Sequence, residues 1–118
     1  MVNELLLIKF RKRDKTTQIC VVLKNLKGKN KEAIFKEAYR NGEFDTGYHL
    51  ILSHNGLFEA DREIRAVAGH NMPESENSIY VLADTLGHEK ISDAQKFMLS
   101  ELQRQYDVPI KFLQSDEV

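Results

Sequence analysis

Four histidines (His49, His54, His70 and His88), one cysteine (Cys20) and a tyrosine beside a histidine (Tyr48-His49) are the side chains of this 118-residue chain best suited to chemistry. Histidine and cysteine are the donors of a tetrahedral zinc site, which lowers the pKa of a bound water to about 7 and polarises a carbonyl for hydrolysis. The spacing argues against such a site. No histidine stands in an H-x-x-E-H-like pattern, and there is no C-x-x-C. Cys20 lies inside the apolar run Ile19-Cys20-Val21-Val22-Leu23, where a cysteine acts as a small core residue. His54 falls in a turn sequence and His88 in a Gly-His-Glu-Lys loop. His49 alternates with Tyr48, so along a strand one faces the core and the other points away from it. The four histidines read as solvent-facing or hydrogen-bonding groups.

The elements that must position these groups are legible from periodicity. Leu5 to Phe10 and Gln18 to Leu23 are β-rich runs, and the second is continuously apolar, as a strand buried on both faces should be. Ala33, Ile34, Phe35, Ala38 and Tyr39 recur at helical spacing before Asn41-Gly42, which predicts a helix over 31–40. Asn55-Gly56 between two apolar runs predicts an antiparallel hairpin of 48–53 with 57–60. A loop over 72–77 precedes a strand over 78–83. Ser92 caps a helix that runs to about Tyr106, and Ile110 to Leu113 form a last strand. The order implies one α/β (α+β) domain over 1–118, a mixed central sheet flanked by helices.

Composition sets outer bounds. With 42% hydrophobic residues there is apolar material for one core and not for two. A net charge of −1 lacks the bulk basicity of a nucleic-acid binder. No apolar run approaches the roughly 20 residues that span a bilayer, and the start Met1-Val2-Asn3-Glu4 lacks the features of a secretory signal. A single cysteine suits a reducing compartment. The expectation is a cytoplasmic protein without nucleic-acid or membrane partners.

Between Gly47 and Ala83 the chain reads Gly47-Tyr48-His49-Leu50-Ile51, Asn55-Gly56, Glu59, Arg62, Ala66-Val67-Ala68-Gly69-His70 and Asn77-Ser78-Ile79-Tyr80-Val81, with Ser92-Asp93-Ala94-Gln95 further on. This series resembles the zinc-dependent N-acetylmuramoyl-L-alanine amidases of the type 2 and peptidoglycan-recognition-protein superfamily, above all the small phage lysozyme amidases. The resemblance spans about Phe10 to Val118 and implies the amidase fold. It also implies where a metal should sit. The family's first histidine ligand falls on Val22, which has no lone pair, and the second falls on Ser115 in Gln114-Ser115-Asp116-Glu117-Val118. The third falls beyond the last residue. Tyr48 is the family's catalytic tyrosine, His70 its groove histidine, and Asn77-Ser78 the start of its N-S-I-G-V, whose glycine is replaced by Tyr80. A bulky side chain there implies a remodelled or filled groove.

The resemblance therefore implies a degenerate amidase without cofactor, catalytic residue or metal, with a vestigial groove at Tyr48, His70, Asn77 and Ser78. Asn77 and Ser78 would equally suit the turn that starts a strand, and Glu59 with Arg62 a surface ion pair. In the phage lysozymes a basic N-terminal segment helps bind the phage RNA polymerase. By that resemblance Arg11, Lys12 and Arg13 form a protein-binding surface; as a charge run they form a solvated connector. The reading is an inactive, protein-binding or inhibitory factor of phage origin. The alternatives are a peptidoglycan-binding module and an amidase with an unorthodox site.

Overall fold

The computed structural model describes residues 13–40, 47–60, 62, 64–66, 68 and 74–114. The expected run Leu5 to Phe10 lies outside them. Seven elements follow in chain order: β1 (Gln18–Lys24), α1 (Lys31–Arg40), β2 (Leu50–Leu52), β3 (Phe58–Ala60), β4 (Ser78–Asp84), α2 (Asp93–Tyr106) and β5 (Ile110–Gln114). They form one mixed sheet in the order β3-β2-β4-β1-β5, in which only β3 runs antiparallel to its neighbour.

β1 and β4 are the centre of this sheet, paired in parallel over seven residues from Gln18 opposite Ser78 to Lys24 opposite Asp84. A central parallel strand is covered on both faces, so alternation disappears from its sequence. Ile19, Val21, Ile79, Val81 and Ala83 pack on one side with Leu52, Leu99 and Leu102, beneath α2. Cys20, Val22, Tyr80 and Leu82 pack on the other with Ile51, Leu113, Leu26 and Ile34 of α1. β2 is shorter than the hydrophobic pattern suggests: His49 N–H still donates to Tyr80 O at 3.0 Å, but the Tyr80 N–H goes to the His49 ring.

α1 carries little of this packing. Ile34 is its buried anchor, while Phe35 and Tyr39 stack on each other at 6.3 Å on its exposed side. Its start is fixed by side chains: Asn30 Oδ1 accepts from Ala33 N–H, and Glu59 Oε1 accepts from Lys31 N–H. Glu59, expected as half of a surface ion pair, instead ties β3 to the helix.

α2 is specified more firmly. Ser92 Oγ accepts from Gln95 N–H at 3.1 Å, and Gln95 Oε1 accepts from Ser92 N–H at 2.9 Å, a reciprocal capping box. Gln95 is fully buried, and its Nε2 also donates to Leu52 O and Asp84 O, joining the helix to the ends of β2 and β4. Gly56, at φ +89°, lies against the same turn. A Cβ there would stand 2.9 Å from Ala94 Cβ. At the same end of the sheet the buried Asp84 carboxylate accepts from the N–H groups of Leu26, Gly28 and Leu86, holding the loops after β1 and β4 together.

Replacing Gln95 with Ala removes a donor from two carbonyls and half the cap, and should cost about 2–3 kcal/mol. Urea denaturation measures it. An unchanged midpoint would show that water takes over the amide's bonds.

Candidate functional site

The candidate site is the α1 side of the sheet, where the resemblance places the amidase groove. Val22 sits at its centre, fully buried, with Leu82 opposite it on β4 and Leu113 opposite it on β5. An isopropyl group between two leucines offers no lone pair and no room for water. These residues do not fit a zinc ion at that position. Among the described residues no three His, Cys, Asp or Glu side chains converge anywhere. Ser115 and His70 lie outside the described residues.

Tyr80 fills what a glycine would leave open. Its side chain is fully buried, and its ring meets Tyr48 edge-on at 6.2 Å. Its hydroxyl and that of Ser78 lie close enough to Cys20 to influence the thiol. Burial pushes the Cys20 thiol above its ordinary range, an effect those hydroxyls partly offset. Burial likewise raises the Tyr80 phenol, with the Cys20 thiol adding to it. Both groups are held neutral, so neither is a nucleophile or base near neutrality. Tyr48, half-buried, packs onto the same cluster.

Of the Tyr48-His49 pair the histidine is the fully buried member, while Tyr48 leans on the core from the side. His49 Nδ1 accepts from Tyr80 N–H at 2.9 Å, so the proton of the neutral ring sits on Nε2, which donates to Ala66 O at 2.7 Å. Both nitrogens are occupied, and this histidine is a backbone strut.

Arg13 reaches the same carbonyl. Its guanidinium donates to Ala66 O at 2.8 Å, to Ile64 O at 2.7 Å and to Thr16 Oγ1 at 2.9 Å, while its backbone N–H donates to Arg65 O. The structure turns this arginine inward; Arg11 and Lys12 lie outside the described residues. Ser78 is buried at the start of β4 and accepts from Gln18 Nε2. Asn77 is a turn residue whose carbonyl accepts from Thr17 N–H at 2.8 Å. His54 and His88 stack on each other at 5.2 Å at the far end of the sheet.

Periodicity did not reveal a second hollow. Behind the sheet, Leu50, Phe58, Ile64, Met98 and Tyr106 line an apolar cleft of about 590 Å³. The only sequence signal for it was the incompletely apolar face of α2.

No protein-family profile and no curated sequence matches this chain. Solved structures do match it in shape. The endolysin N-acetylmuramoyl-L-alanine amidase LysCS of Clostridium intestinale URNW superposes with a TM-score of 0.72 at 14% identity, over 88% of this chain and 72% of that one. PGRP-SA of the bumblebee gives 0.70 at 13% identity, over 93% and 76%. PGRP-Hd of Alvinella pompejana gives 0.66 at 17% identity, over 90% and 77%. The chain has the fold shared by these amidases and peptidoglycan recognition proteins.

The buried thiol and phenol give a pH signature. Their folded pKa values are raised, so their contribution to stability is complete below the unfolded values, 9.0 for Cys20 and 10.0 for Tyr80. It is lost as pH rises above them, by up to about 1.4 kcal/mol per pH unit for each group that ionises only in the unfolded chain. Urea midpoints at pH 7.5, 9.0 and 10.5 should fall across the last interval, and Cys20→Ala should lessen the fall. A flat profile would show that the thiol and phenol ionise in the folded protein.

Proposed function

We propose that this chain is a protein of the amidase fold that acts by binding rather than by hydrolysis. The observation that carries the reading is Val22, packed between Leu82 and Leu113 where the resemblance puts a zinc-ligating histidine. Hydrolysis in this fold depends on a metal-activated water. Tyr48 packs against an apolar cluster. The bound species is a protein, and the action inhibitory and cytoplasmic. The likeness to an endolysin is what supports a phage origin.

A second reading, binding of a peptidoglycan fragment, has the two PGRP structures in its favour. The buried Tyr80 side chain weighs against it, because it occupies space that a ligand would approach. No helix among the described residues is long and apolar enough to cross a membrane.

Zinc content by elemental analysis, paired with dye release from labelled peptidoglycan, tests the proposal. Protein prepared with added zinc should hold well under one equivalent and release no dye. One tightly bound zinc with peptidoglycan cleavage would overturn it. An NMR titration with a muramyl peptide then separates the two binding readings: shifts at Tyr48 and its neighbours would favour the peptidoglycan fragment.

A further inference from the structure

Among the described residues β5 is an outer strand of the sheet, and its outer edge has a defined geometry. Ile19 N–H donates to Pro109 O at 2.9 Å, and Ile19 stands opposite Ile110 in a parallel ladder. Alternate residues of β5 therefore turn their backbone groups to β1: Pro109, Lys111 and Leu113. Ile110 and Phe112 turn theirs outward, where no described residue meets them.

Natural edges are blunted by charge, proline, bulges or shortness. The opposite edge, β3, is three residues long. β5 is five residues, Ile110-Lys111-Phe112-Leu113-Gln114, with one charge. That charge does not guard the edge, since Lys111 Nζ lies 3.9 Å from Glu74 over the α1 side. Phe112, on the α2 side, remains 50% exposed.

We propose that β5 pairs with β5 of a second copy of this chain, antiparallel about a two-fold axis at Phe112. The strand is self-complementary about that residue. Phe112 has both outward backbone groups, so two copies exchange a pair of N–H···O bonds there. The same operation places the two exposed Phe112 rings side by side on one face, an aromatic cross-strand pair. It brings Lys111 opposite Leu113 and sets no like charges against each other. The sheets join into one of ten strands. So short a seam buries less than the roughly 1,200 Å² of a standard stable interface, which makes the dimer weak and dependent on concentration.

Sedimentation equilibrium on the full chain from micromolar to millimolar concentration reads this directly. The mass should rise from the 13.6 kDa of one chain toward twice that value. Phe112→Pro removes the outward N–H without touching the ladder to β1, and should hold the mass at one chain. Phe112→Cys gives an independent reading, because paired Cα atoms about 5.5 Å apart suit a disulfide. It should cross-link at least ten-fold faster under mild oxidation than Leu57→Cys, an exposed position away from the seam. Wild-type protein that stays at one chain mass at millimolar concentration overturns the proposal and leaves the edge to a strand of another protein. So does association that survives Phe112→Pro, or equal cross-linking at the two cysteines. Should the proline variant fail to fold, the wild-type mass and the cysteine pair still decide.

Discussion

The parallel pairing of β1 with β4 is the constraint on which the rest of this structure depends. Two adjacent strands, covered on both faces, leave no position where a side chain can be polar without a partner. Ile19, Val21, Val22, Ile79, Tyr80, Val81 and Ala83 are all fully buried. The polar groups admitted are held: His49 is bound by the Tyr80 amide and the Ala66 carbonyl, and the Cys20 thiol is kept neutral by burial. Stronger polar groups gather at the strand ends, where Asp84 and Gln95 collect backbone partners from several loops.

The same constraint explains why the α1 side of the sheet is self-consistent without a metal. A buried valine contributes about 1.5–3 kcal/mol relative to exposure, whereas an imidazole buried without a partner costs about 1–3 kcal/mol. Putting histidine alone at Val22 would reverse the sign of that contribution, because Leu82 and Leu113 offer it nothing to bond. A metal would compensate only if further ligands arrived with it. Val22, Tyr80 and the leucines form a set in which each residue is stable because the others are apolar.

Much of the fold was legible in the sequence, and for identifiable reasons. The apolar run at Ile19 to Leu23 could only be a strand covered twice, Asn55-Gly56 could only be a tight turn, and Ser92 with Gln95 wrote both halves of a cap. Sheet order was less accessible, since β1 pairs with strands some 60 and 90 residues away along the chain and no local pattern encodes that. The roles of individual side chains were least accessible. Arg13 belonged to a run of charges and read as surface, yet its planar guanidinium matches the carbonyls of Ile64 and Ala66 and is drawn inward. His49 was known to face one way or the other, but which nitrogen carries the proton follows only from the Tyr80 amide that meets it.

These roles also account for a signature that persists where its chemistry does not fit. Several of the described residues that this chain shares with the amidase pattern have a mechanical task. His49 braces Tyr80 and Ala66. Gly56 admits the turn against Ala94, and Gln95 closes the cap while joining β2 to β4. Glu59 holds the start of α1. Any chain adopting this sheet faces the same tasks, whatever it binds. A metal ligand on β1 has no such task, since the strand packs at least as well with an isopropyl group in its place. The order of motifs therefore reports the fold, and Val22 stands at one of the positions where the resemblance puts a metal ligand.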